Sequence, residues 1–372
     1  MGTSHPGSTG GKWRPVVAAA VLATVVAVIL AVTAINNRGS DQTKPVVPAN
    51  PSESSTPGAC LVSDLLVPSC GVLFGAATNP LGDESWDDAL TSFEKTIGRT
   101  VDIAHYYNSS PDLFPDAEMI QRAREPGRKR LLLLNWKPEM DRTWAQVAAG
   151  DKTVDAAIDV EAAYLKKNFP EKFYLAIHHE PEDEVDPAPG SGMNATDYKG
   201  MYRHVVLRLR HDGVTNAVFV MNYTGSAKWG SMPWFETLYP GDDVVDWIAE
   251  DPYIFGDPPH YWTDLASAVD RRDPALPRWP GFYSWALAAH PSKPLMLGEC
   301  GIDEQVKNTP SKASLLAGIR TGLLRRPQIR ALVYWNETNF DPVGETRLDS
   351  SPAAKRAARR SLSGGPLARQ LG

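Results

Sequence analysis

Eight short runs of β-branched, aromatic and aliphatic residues recur between residues 71 and 337, separated by stretches able to form amphipathic helices. They read "GVLFGA" (71 to 76), "VDIAHYY" (101 to 107), "RLLLLNW" (130 to 136), "FYLAIHHE" (173 to 180), "AVFVMNYT" (217 to 224), "VVDWIAEDPYI" (244 to 254), "PLMLGEC" (294 to 300) and "IRALVYWNE" (329 to 337). Near-continuous apolar runs alternating with helical periodicity mark strands buried on both faces of a parallel sheet. Among the intervening segments, 84 to 98 carries Trp86, Leu90, Phe93 and Ile97 at helical spacing, and 153 to 168, 195 to 213 and 311 to 326 repeat that pattern. Eight strand and helix units in roughly 300 residues fit one closed (β/α)8 TIM barrel better than an open doubly wound sheet. No GxGxxG follows the first strand and no P-loop occurs, so nothing favours a nucleotide fold.

The barrel is assigned to residues 59–350. Ahead of it, residues 15–35 form an uncharged run of apolar and small residues preceded by Lys12 and Arg14, long enough to cross a bilayer as a helix. The flank orients residues 1–14 to the cytoplasm and the rest outward. A transmembrane signal-anchor is expected, with a cleaved signal peptide ending near Ala34 as the alternative. Residues 36–58 are rich in Pro, Ser and Asn and read as a flexible linker. The expected location is the cell membrane with the barrel extracellular, or secretion if the segment is removed. Export permits a disulfide; Cys60 and Cys70 flank a short loop and form the expected pair, leaving Cys300 as a buried thiol. Residues 351–372 are basic and read as a tail that begins as a solvated helix.

A net charge of −6 over 372 residues supplies no basic field, which argues against a nucleic-acid partner. A monomer is expected. Eleven tryptophans suit both core packing and sugar stacking. No HExxH or second histidine cluster suggests a metal, no cofactor is implied, and no GxSxG elbow suggests a serine hydrolase.

Polar and aromatic residues accumulate at the carboxyl ends of four strands, as "HYYN", "NWKPE", "HHEPE" and "YWNET". In a barrel that end faces the substrate. Glu180 ends the fourth strand and Glu299 the seventh, so both carboxyls can approach one bond across the mouth. A retaining glycosidase needs such a pair about 5 to 5.5 Å apart, one carboxyl a proton donor and the other a nucleophile. The competing reading of Glu180 is a solvated acidic loop, because Glu182, Asp183 and Glu184 adjoin it; for Glu299 it is a structural ion pair.

"LYPGDDVVDWIAEDPYIFG", followed by "KPLMLGECG" and preceded by "IHHEPE", resembles glycoside hydrolase family 26, the β-mannanase family of the large (β/α)8 glycosidase clan with acid/base and nucleophile on strands four and seven. The resemblance spans residues 71 to 345. It implies Glu180 as general acid/base, Glu299 as nucleophile, His179 as a subsite residue, Tyr253 as hydrogen-bond donor to the nucleophile and Trp335 as a sugar platform. His105 and Trp136 join them as substrate-binding candidates. The implied activity is retaining hydrolysis of a β-linked polysaccharide, endo-β-1,4-mannanase-like, with a β-glucanase or xylanase of the same family, or a non-catalytic carbohydrate-binding barrel, as alternatives. The chain departs from the family in two places: "PEDEVDPAPGSG" follows the acid where mannanases carry "MNG" and an aromatic segment, and strand two ends in "HYYNSS" rather than a Trp-His pair. A strict strand period would put His178 and Glu180 on one face and His179 on the other, against the implied role of His179.

Overall fold

The computed structural model describes residues 61–255, 264–304, 311–338, 344–369 and 371. The expected anchor at 15–35, the linker at 36–58 and Cys60 lie outside the described residues. Cys70 is disulfide-bonded and Cys300 is a buried free thiol. Among the described residues no helix is long and apolar enough to cross a membrane.

The strands are β1 (Leu73–Thr78), β2 (Ile103–Ser109), β3 (Leu131–Lys137), β4 (Phe173–Ile177), β5 (Ala217–Tyr223), β6 (Trp247–Glu250), β7 (Leu295–Ile302) and β8 (Ile329–Asn336). Each pairs in parallel with the next, and β8 pairs with β1 from Leu73↔Ala331 to Thr78↔Asn336, which closes the eight-stranded barrel. Beyond Asp251 and Pro252, the two-residue strand Tyr253–Ile254 resumes the line of β6 and pairs with the end of β7, Tyr253 opposite Gly301.

Alternation along the strands sorts side chains into two apolar layers. Leu73, Ile103, Leu133, Tyr174, Val220, Trp247 and Val333 fill the barrel, while Phe74, Leu132, Leu134, Leu175 and Leu332 face the helices. The helices begin and end where local chemistry dictates. Ser85 caps Trp86–Ile97 through the Asp88 N–H, and Gly98 closes it at φ +78°, a conformation open to a residue without Cβ. Asn194 and Asp197 form a reciprocal capping box at Ala195–His211.

The segment before β1 plugs the amino-terminal end of the barrel. Leu66 is buried with the inner layer; its carbonyl accepts the Tyr174 hydroxyl at 2.7 Å, and the Leu65 carbonyl accepts the Trp247 indole N–H at 2.7 Å. Trp247 therefore packs at the closed end, far from the strand ends that carry polar residues.

The carboxyl-terminal segment corrects the reading of residues 351–372 as a solvated tail outside a barrel ending at 350. Pro352–Leu362 is a helix whose Ala354, Ala357, Ala358 and Leu362 are buried in the helix-facing core. Its basic residues point away from that face: Arg359 donates to the Lys95 carbonyl at 2.9 Å, while Arg320, from the preceding helix, donates to the Ser361 carbonyl at 2.8 Å. The small residues interleaved with the charges carry the packing, a signal that net charge hides. Leu66→Ala should lower unfolding free energy by about 2–4 kcal/mol, because an inner-layer side chain is lost without a neighbour free to refill the space; urea denaturation checks this.

Candidate active site

β4 stops at Ile177, and the backbone then leaves the pleat. His178 and Glu180 adopt left-handed conformations at φ +47° and +52°. For non-glycine residues these conformations are strained and persist where the surroundings fix them. The break resolves the conflict over His179: its Nε2 lies 3.8 Å from Glu299 Oε1, on the same side as Glu180, while His178 turns away to Glu139 and Glu184.

Three of the four carboxylates of the stretch "HHEPEDE" have separate partners. Glu182 is fully buried and accepts the Thr224 backbone N–H at 3.0 Å and its hydroxyl at 3.2 Å, tying the turn to the end of β5. Asp183 accepts the Trp229 indole N–H at 2.7 Å. Glu184 pairs with Lys137 at 2.6 Å and lies 3.4 Å from His178 Nε2. The Glu180 N–H donates to the Asn222 carbonyl at 2.9 Å. Three of the four acids thus hold the turn, and Glu180 is left facing the mouth.

Glu299 sits on β7, 5% exposed, with both carboxylate oxygens engaged. The Tyr107 hydroxyl donates to Oε1 at 2.6 Å and the Tyr253 hydroxyl to Oε2 at 2.5 Å. Glycines on either side make room. A Cβ at Gly298 would collide with the Asn222 side chain, and one at Gly301 would come 2.8 Å from the Tyr253 ring.

A third carboxyl completes the cluster. Asp251 accepts the Glu299 N–H at 2.8 Å and the Asn222 side-chain amide at 2.6 Å. The sequence reading passed over Asp251 and Asn222. The available signal was the position of Asp251 immediately before Pro252, where a strand must give up its ladder.

Burial sets the electrostatics. It raises Glu180 well above the usual carboxylate range, and the charges of Glu299, Glu182 and Asp183 push it further. Asp251 is raised well above its ordinary value by burial, then by Glu299 and Glu180. Glu299 is also raised by burial, but Tyr107 and Tyr253 oppose that by donating to its charged form. Burial and the adjacent Glu299 hold both tyrosines well above their ordinary range, so they remain protonated donors. Burial, then Lys137 and His178, lowers His179 to about 3; at neutral pH it is an uncharged imidazole.

Of the other candidates, Trp335 is 8% exposed and packs with Ala77 and Tyr253, its ring 5.5 Å from Tyr107 in an edge-on contact. His105 is buried against Tyr107, ring centroids 4.6 Å apart. Trp136 is a correction. It falls on the helix-facing side of β3, packs 5.2 Å from Phe114 and donates its indole N–H to Ser110, so the strand period removes it from the mouth. Tyr107, which pairs across the sheet with Asn135 and precedes the Trp136 partner Asn108 by one residue, faces the nucleophile instead. Among the described residues no group of His, Cys, Asp or Glu is arranged to hold a metal ion.

No protein-family model matches the chain. Endoglucanase H of Acetivibrio thermocellus is 26% identical over 299 residues, which cover 77% of this chain; the chain spans 30% of the length of that relative. The fold is similar to the catalytic domain of a GH26 endo-β-1,4-mannanase from Bacillus sp. JAMB-750, with TM-score 0.56 and 16% identity over 80% of this chain and 87% of the other. It is also similar to a GH26 β-mannanase from Bacteroides ovatus, with TM-score 0.55 and 16% identity over 80% and 90% of the two chains. At these identities the likeness establishes the (β/α)8 fold.

The buried carboxyl that fastens the turn to β5 should leave a signature in stability. Burial holds Glu182 at about 7, above its unfolded value, so its contribution is fully present below about pH 4.5 and is lost as pH rises through 7. Glu182→Gln should flatten the fall in melting temperature between about pH 5 and pH 8. A calorimetric pH series on the two proteins checks the sign.

Proposed function

We propose that this chain is a retaining glycoside hydrolase of family 26 that cleaves internal bonds of a β-linked polysaccharide, with β-1,4-mannan as the leading substrate. The observation that carries this reading is the pair of carboxyls at the ends of β4 and β7. One has its protonated form favoured by burial and like charge, and the other has its charged form favoured by two tyrosine hydroxyl donors.

In the first step Glu299 attacks the anomeric carbon. The bond from that carbon to the bridging oxygen breaks, and Glu180 donates its proton to the departing oxygen. Glu299 is now a neutral ester, so its repulsion of Glu180 disappears and the Glu180 carboxylate becomes a competent base. Glu180 then takes a proton from water, the resulting oxygen nucleophile attacks the same carbon, and the ester bond breaks to restore the Glu299 carboxylate. Asn222 links the two strand ends: its carbonyl accepts the Glu180 N–H, and its side-chain amide donates to Asp251, which in turn accepts the Glu299 N–H. Uncharged His179 can exchange hydrogen bonds with sugar hydroxyls beside Glu299 without adding a cation that would depress Glu180.

A β-glucan is the second reading, favoured by the sequence relative being an endoglucanase and by the rebuilt turn after the acid. The apolar run at 15–35 after Lys12 and Arg14 supports an exported catalytic domain, tethered or released.

The test is turnover of β-mannans, β-glucans and xylans by the full chain beside Glu180→Ala and Glu299→Ala, with products identified by mass. One polymer should be cleaved, and each substitution should reduce kcat by at least ~100-fold. Binding of a polymer with no turnover by any of the three proteins would favour a carbohydrate-binding barrel. Tyr253→Phe should retain the fold and lower kcat/KM by roughly tenfold or more, through loss of one charge-assisted hydrogen bond to the nucleophile.

A further inference from the structure

A recess of about 150 Å³ opens beside Tyr107, lined by Trp86, Tyr106, Tyr107, Asp116, Glu118 and Met119. We propose that it is a glycone-side subsite for a neutral sugar unit of the polysaccharide, with Trp86 as its platform and Asp116 and Glu118 as acceptors for sugar hydroxyls. This inference rests on the hydrolase reading and adds to it where the chain lies and which residues select it.

The side of the cleft follows from the chemistry. The nucleophile contacts the anomeric carbon of the sugar on the glycone side, whereas the acid stands beside the departing oxygen of the aglycone. Tyr107 donates to Glu299 and lines the recess, which assigns the recess to the glycone side, although the Tyr107 ring also lies 5.5 Å from His179 on the turn that carries Glu180.

The walls are held in place before any ligand arrives. Trp86 is the first residue of the helix that follows β1, and Asp116 is the cap of the helix that follows β2, accepting the Met119 N–H at 2.8 Å. Arg122, 8% exposed, ties the two helices together. It pairs with Asp87, donates to the Thr91 hydroxyl at 3.0 Å and pairs with Glu125 at 2.9 Å. Trp86 nevertheless leaves 36% of its surface exposed, with Tyr106 tilted behind it at a centroid distance of 6.0 Å. A rigidly mounted, accessible indole suits the apolar C–H face of a pyranose, and exposed carboxylates suit its equatorial hydroxyls. Asp116 and Glu118 would repel a uronate or sulfated sugar, so the recess selects an uncharged backbone.

The experiment compares kcat/KM for the wild-type chain, Trp86→Ala and Trp86→Phe on oligosaccharides of increasing length from the polymer it cleaves. Trp86→Ala should lose about tenfold on oligosaccharides long enough to reach the recess and nothing on the shortest one cleaved. Trp86→Phe should recover most of the loss. An equal loss at every length, with a lowered melting temperature, would make Trp86 a structural residue and overturn the subsite; no loss at any length would overturn it equally. A wild-type chain that cleaves none of the polymers removes the hydrolase reading itself, and the subsite falls with it.

Discussion

Three carboxyl groups, Glu180, Asp251 and Glu299, share one buried site at the barrel mouth, and the cost of keeping them there shapes the surrounding structure. Like charges in a desolvated site repel and resist ionising together. Two tyrosine hydroxyls favour charge on Glu299, while burial and its acidic neighbours favour a proton on Glu180. Burial raises both, but the tyrosine donors oppose that rise at Glu299 and neighbouring charge adds to it at Glu180, so two chemically similar side chains sit in environments that push them apart.

The barrel makes that arrangement rigid. Strand closure fixes β4 and β7 three strands apart around one mouth, the plug around Leu66 fills the far end, and the turn after β4 is fastened on both sides. Glu182 reaches β5, while Glu184 and His178 reach the end of β3 through Lys137 and Glu139. The strained backbone at His178 and Glu180 is compensated by these contacts. An acidic stretch that looks like a solvated loop is thus mostly a set of fasteners around one reactive group.

The parallel barrel was legible because the apolar runs and the helical spacing agreed with one another. Glu180 and Glu299 could be singled out because a carboxylate at a strand end has a defined direction in a closed barrel. Periodicity failed where the strand ended. It gave no sign of the left-handed turn that brings His179 into the site, and Trp136 was placed by its neighbours rather than by its own facing. Asp251 was hidden for another reason: its importance lies in a contact with a residue 48 positions away, which no local pattern contains. Composition misread the final helix, because its arginines dominate the charge while its alanines make the contacts.

The stereochemistry of the first product tests the central claim most directly. Proton NMR of the reducing end released by the wild-type chain, followed before mutarotation, reports the anomer formed at the cleaved bond. Two successive displacements through Glu299 require that the β-configured bond give a β-configured product first. Initial release of the α anomer would mean a single displacement by water, and would contradict the role of Glu299 as nucleophile.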